Sequence, residues 1–172
     1  MKLKQQPEDF QVEERTTVSA GNGAHALYRL EKRGWSTPDA LAAVRRRWKI
    51  DLRRISFGGL KDRHARTVQY FTIFHGPKRN LTHQEVHVEY VGQIAAPYTS
   101  TDIRSNSFSI TLREVASTER EHIQSVVAEI RQDGVPNYFD DQRFGSVVME
   151  TSAPPPAADD VVYVSRAKQA AP

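Results

Sequence analysis

Asp62 is the residue whose setting most suggests chemistry. It lies in the run Leu60-Lys61-Asp62-Arg63-His64, preceded by Gly58-Gly59 and followed by the β-branched and aromatic stretch 67–74. A carboxylate thus sits in a charged loop between two segments that read as strands. Lys61 and Arg63 beside it favour its ionised form and would steer phosphate toward it. The plainer reading of the same residues is a turn aspartate in a surface ion pair. A second cluster, Asn137-Tyr138-Phe139-Asp140-Asp141-Gln142-Arg143-Phe144-Gly145, packs rings and amides densely after a helix. It suits stacking on bases and reading of their edges, with a packed loop as the alternative.

Other chemistries are less well served. His83-Gln84-Glu85-Val86-His87 resembles a zinc-protease motif but has Gln84 where the motif needs glutamate. His87 also falls in an alternating strand pattern, in which positions four apart lie too far apart to chelate one ion easily. No metal site is therefore expected. Gly21-Asn22-Gly23 and Gly58-Gly59 have neither the spacing nor the context of a phosphate-binding glycine loop. The 172 residues include no cysteine, which rules out disulfides, thiolate metal sites and a cysteine nucleophile. With no apolar run of membrane-spanning length and no signal-like start, a soluble, cytoplasmic protein with no membrane partner is expected.

Charge is unevenly spread. The net charge is +3, yet residues 29–66 carry twelve Lys/Arg against four acids, a local excess of +8. Such a block suits a polyanion surface, a solvated helix face being the alternative.

The elements that must position Asp62 can be read from periodicity. Phe10 and Val12 alternate with polar residues, and Ala26, Tyr28 and Leu30 do so after the Gly21-Asn22-Gly23 turn, which predicts a hairpin. Thr37-Pro38-Asp39 reads as a hydroxyl cap, a proline at the first helical position and an acid facing the helix dipole. Leu41, Val44 and Trp48 then share a face beside Arg45, Arg46 and Arg47. The Gly58-Gly59 pair permits backbone conformations closed to other residues. Residues 67–74 predict a buried strand, and Val86, Val88 and Tyr90, then Phe108, Ile110 and Leu112, predict two more. Thr118-Glu119-Arg120-Glu121 is a capping box for an amphipathic helix through Ile123, Val126, Val127 and Ile130, ended by Gly134. Beyond Thr151, ten of the last 22 residues are Ala or Pro, around Val161-Val162-Tyr163-Val164, as in a linker or a severed edge. There is no internal repeat.

Several segments together resemble the TruD family of tRNA pseudouridine synthases. They are Pro7-Glu8-Asp9-Phe10-Gln11-Val12-Glu13, Phe57-Gly58-Gly59-Leu60-Lys61-Asp62-Arg63-His64-Ala65 with Thr67 and Gln69, Asn106-Ser107-Phe108, and Gly134-Val135-Pro136-Asn137-Tyr138-Phe139 with Gln142-Arg143-Phe144-Gly145. Order and spacing agree across roughly residues 4–145. Ser105 and Asp140 stand where the family usually has glycine.

The resemblance implies an α+β fold: a mixed, mostly antiparallel sheet with flanking helices, incomplete as a pseudouridine synthase catalytic domain. It implies Asp62 as the catalytic aspartate and Phe10 and Asn106 at substrate-contacting positions, with Lys4 matching a lysine able to pair with that aspartate. Lys61 and Phe108 join them as substrate-binding candidates, and Arg45, Arg46, Arg63, His64, Asn137, Gln142 and Arg143 as RNA-contact candidates. The implied reaction converts a tRNA D-arm uridine, position 13 in tRNA numbering, to pseudouridine without metal, redox cofactor or ATP.

The same resemblance divides the chain. Residues 1–133 would be the N-terminal part of the catalytic domain, 134–150 the start of the family's inserted domain, and 151–172 a Pro/Ala-rich tail of unassigned role. Family members are considerably longer, so the chain resembles the front half of an enzyme. An RNA-binding fragment without turnover and an unstable truncation stay open beside the enzyme. No oligomeric state follows from the sequence.

Overall fold

The computed structural model describes residues 1–134. They divide into two compact units, one of residues 1–116 and one beginning at Ser117. The first contains seven strands and one long helix: β1 Phe10–Thr16, β2 His25–Arg33, α1 Thr37–Trp48, β3 Ile55–Phe57, β4 Arg66–Phe74, β5 Leu81–His83, β6 Val86–Ile94 and β7 Ile103–Ile110. The described part of the second is the helix α2, Ser117–Asp133.

The strands form one mixed sheet in the order β5-β6-β2-β4-β1-β7, with β3 paired to the far end of β4. Only the β1–β4 pairing is parallel. The expected β1–β2 hairpin is not formed: β4 lies between them, antiparallel to β2 from His25↔Phe74 to Arg33↔Arg66 and parallel to β1. The physical reason lies in β4 itself. Buried at Thr67, Val68, Gln69, Phe71, Thr72 and Ile73, it needs partners on both edges, and a two-stranded hairpin would leave it on the outside.

Helix α1 covers the core. Leu41, Val44 and Ile50 pack with Tyr28, Leu30, Phe71, Ile73, Val86 and Val88, and Trp35 and Trp48 close the edge. Tyr28 stacks on Phe71 at 5.0 Å between centroids, and its hydroxyl donates to the Pro77 carbonyl at 2.6 Å. Burial pushes that phenol well above its ordinary value. The cap of α1 is Ser36 rather than Thr37: the Ser36 hydroxyl accepts from the Asp39 amide at 3.2 Å. Thr37 is the first helical residue and is buried, with its hydroxyl employed elsewhere.

Two further expectations change. Gly58 and Gly59 do not adopt left-handed conformations. At Gly58 the requirement is space, since a Cβ there would lie 2.8 Å from the Thr99 carbonyl and 2.7 Å from Ile103 Cδ1. His83 and His87 fall on opposite sides of the β5–β6 turn, not on one strand. No group of residues suited to holding a metal is found among the described residues. Nor is any helix there long and apolar enough to cross a membrane.

Helix α2 begins at Ser117, which puts Thr118 in its first turn, and Gly134 terminates it with φ +79°, its N–H donating to the Ile130 carbonyl at 2.9 Å. The Val135–Tyr138 part of the last motif, the remaining cluster and the Pro/Ala-rich stretch lie outside the described residues.

Candidate active site

The Asp62 loop joins β3 to β4, and its main chain is anchored at several points. Gln69 on β4 is wholly buried; its amide nitrogen donates to the Gly59 carbonyl at 3.1 Å, while its oxygen accepts from the Thr37 hydroxyl at 2.7 Å. That same hydroxyl accepts from the Lys61 amide at 3.0 Å. Thr37 turns inward instead of capping the helix, and so links α1, β4 and the loop.

Lys61 turns inward. Its ammonium pairs with Glu14 at 2.8 Å, both side chains being almost or entirely inaccessible. Glu14 Oε1 also accepts from the Tyr98 hydroxyl at 2.9 Å and from the Tyr70 amide at 3.1 Å, while Oε2 is the oxygen that faces the Lys61 ammonium. Burial raises the Tyr98 phenol above its ordinary value, keeping it a donor. Lys61 is thus employed in holding the loop to β1, and the cation that meets Asp62 is a different one.

That cation is Lys4, whose ammonium lies 2.9 Å from Asp62 Oδ2 and 3.7 Å from the centroid of the Phe10 ring. Both the lysine and aspartate side chains are about half exposed. Lys4 has a left-handed backbone, φ +50°, and its carbonyl accepts from His64 Nε2 at 2.9 Å. Phe10 lies 6.1 Å from Phe108 between centroids, with β7 antiparallel to β1 in the register Val12↔Phe108 and Glu14↔Asn106. Phe108 is 59% exposed. Asn106, also exposed, stands opposite the glutamate that holds Lys61. The neighbouring Ser105 has no positive φ, although the β1–β7 register shifts beside it, between Arg15 and Thr16.

The result is an accessible carboxylate beside an ammonium, with two aromatic rings and an amide presented by adjacent strands. A planar heterocycle fits the rings, and the carboxylate can act as nucleophile or base.

The basic block separates by use. Lys32 is buried, Lys61 is paired, Arg33 bonds Glu8 and Arg66 bonds Glu31. Arg47 contacts His83 at 2.9 Å. Arg45, Arg46 and Arg63 are exposed and form no ion pair among the described residues. Arg46 and Arg63 line a depression of about 420 Å³ with Trp35 and Asp39. A smaller one of about 210 Å³, lined by Gln11, Glu13, Arg29, Glu31 and Arg66, does not include Asp62. Asn137, Gln142 and Arg143 lie outside the described residues.

Sequence reading missed Lys32, Glu14 and Tyr98. For Lys32 a signal existed: it continues the inward series Ala26, Tyr28, Leu30, and a charged residue at a buried strand position asks for an explanation.

Known proteins resemble this chain in sequence and in fold. Residues 1–153 match the family model described as tRNA pseudouridine synthase D (TruD). The chain is 36% identical over 154 residues to Probable tRNA pseudouridine synthase D 1 of Methanococcus maripaludis, covering 86% of this chain and 38% of that protein. It is 35% identical over 158 residues to tRNA pseudouridine synthase D of Leptospira interrogans, covering 88% and 38%. A crystal structure of a TruD protein from Methanosarcina mazei superposes with a TM-score of 0.75 at 33% identity, over 84% of this chain and 35% of that one. The chain thus spans little more than a third of the length of these relatives.

Proposed function

The chain belongs to the TruD family of tRNA pseudouridine synthases, and on that premise we propose that it isomerises a uridine of the tRNA D-arm, position 13, to pseudouridine, with Asp62 as the catalytic carboxylate. The observation that carries this reading is the accessible Asp62 side chain, 2.9 Å from Lys4 and flanked by Phe10, on a loop whose main chain is tied down.

In this reaction the N1–C1′ bond breaks, the uracil turns over, a C5–C1′ bond forms, and the C5 proton is replaced by one at N1. Detachment of the base builds positive charge at C1′, which a carboxylate stabilises or captures covalently. After rotation the same carboxylate serves as the base that removes the C5 proton. Lys4 orients Asp62 through their ion pair. Phe10 and Phe108 hold the flipped base by stacking, and the Asn106 amide bonds its polar edge. Lys61 fixes the loop to Glu14 and acts on substrate only through Asp62.

Arg45, Arg46, Arg63 and His64 supply backbone contacts that position the tRNA without reading its sequence, together with Asn137, Gln142 and Arg143. Residues 1–133 belong to the catalytic domain, 134–150 open the inserted domain, and the location is cytoplasmic.

A second reading has its own support. The chain covers 35–38% of its relatives, and β7 has no outer partner among the described residues, leaving Phe108 and Ile110 exposed. An open edge strand presenting an exposed ring suits RNA binding without turnover.

One assay separates the two. Incubation with unmodified tRNA carrying C5-tritiated uridine is expected to release tritium, and Asp62→Asn to abolish the release. Release that persists in Asp62→Asn overturns the catalytic assignment. Salt-sensitive binding with no release favours the fragment.

A further inference from the structure

Lys32 is the fourth inward residue of β2, after Ala26, Tyr28 and Leu30, and like them it is completely inaccessible. Its ammonium carries three protons and finds three acceptors, all main-chain carbonyls: Trp35 at 2.8 Å, Asp62 at 2.8 Å and Lys61 at 3.3 Å. No carboxylate lies within ion-pair distance of it among the described residues. We infer that Lys32 is a positioning residue for Asp62, its buried ammonium holding the main chain of Lys61 and Asp62 so that the carboxylate stands where the reaction needs it. This rests on the reading of Asp62 as the catalytic carboxylate.

The case begins with cost. A charge buried without a counter-ion is unfavourable, and the ammonium is pushed down to about 8 from 10.5 by burial above all, with Lys61 adding to the shift and Asp62 opposing it. Packing gives no reason to accept that cost, since methionine would fill similar volume without a charge. What methionine cannot do is donate.

The three carbonyls belong to two loops, the turn before α1 and the loop carrying Asp62. Lys32 stands under both from a central strand, with β4 on one side and β6 on the other. The carbonyl of Asp62 itself is among its partners, so the grip lies one residue or less from the functional side chain. Lys4 binds the Asp62 carboxylate from the exposed side while Lys32 binds its backbone from the buried side. A reacting group must be held to within a fraction of an ångström, and an exposed loop alone does not provide that.

The test compares the full 172-residue chain with Lys32→Met and Asp62→Asn. The reporter is the Lys61 amide, which donates to the Thr37 hydroxyl and so depends on loop order. In Lys32→Met its hydrogen exchange is expected to quicken at least about tenfold while the amides of β2, β4 and β6 keep their protection. In tritium release kcat is expected to fall about 100-fold with KM for tRNA unchanged.

Unchanged exchange at Lys61, or unchanged kcat, overturns the inference. So does a rise in exchange spread evenly over the sheet, which marks a merely structural lysine. Should Lys32→Met fail to fold, NMR of the unaltered chain decides: correlations from Lys32 Nζ across its hydrogen bonds to the Lys61 and Asp62 carbonyl carbons support the tether, and their absence overturns it. Exchange and NMR need no turnover. Tritium release that survives in Asp62→Asn therefore defeats the catalytic reading while leaving the tether to be judged on its own.

Discussion

Asp9 sits one residue before the ring that Lys4 covers, and it is almost wholly buried. Arg113 holds it through three hydrogen bonds of 2.7 to 3.0 Å, and the Gln6 amide donates to it at 3.1 Å. The Arg113 hydrogen bonds, followed by the backbone bonds and the charge of Arg113, outweigh burial and hold its carboxyl below the ordinary 3.8. With the folded value depressed, the unfolded state binds more protons in acid. The stabilisation is therefore complete above 3.8 and is lost as pH falls through the lower, folded value. Asp9→Asn is expected to lower the melting temperature at neutral pH and to flatten the acid limb of the stability curve. Melts from about pH 2 to about pH 7 check this, and an unchanged acid limb would refute it. Only the Phe10 neighbourhood of this residue was legible in the sequence; Arg113 lies 104 positions away and no local pattern announces the pair.

At the scale of elements, the loop between β3 and β4 owes its path to Gly58. A methyl there meets the Thr99 carbonyl, which belongs to the backbone and has little room to yield. Gly58→Ala is expected to cost about 1–3 kcal/mol. Gly59→Ala points into open space and is expected to stay within about 0.5 kcal/mol. Urea denaturation of both variants measures the difference, and equal effects would show that crowding is not what Gly58 avoids. The glycine pair itself was plain in the sequence. The reason for it was not, because a close approach by Thr99 and Ile103 depends on a segment 41 to 45 residues further on.

For the whole molecule, the basic block resolves into cations spent on the fold and cations left for a partner. Lys32 and Lys61 are enclosed and Arg66 is paired, whereas Arg46 and Arg63 face a common depression. Removing one cation that neutralises a phosphate is expected to reduce the slope of log affinity against log salt by about 1. Arg46→Gln with Arg63→Gln should therefore flatten the slope for tRNA binding by about 2, measured by filter binding over a salt series. A slope equal to that of the unaltered chain would remove these two arginines from the interface.

The sequence by itself determined most of the strands, helix α1 with its apolar and basic faces, the Gly134 stop and the motif around Asp62. These are written in periods of about two and about 3.6 residues and in short contiguous runs, which need no knowledge of neighbours in space. Tertiary structure alone decided that β4 separates β1 from β2, that Ser36 rather than Thr37 caps α1, and that Lys61 turns away from Asp62 to pair with Glu14. It also decided that Lys32 grips the loop from below. Sheet order and buried ion pairs depend on which distant segments compete for the same edge or the same charge. That competition is settled only when the whole core packs at once.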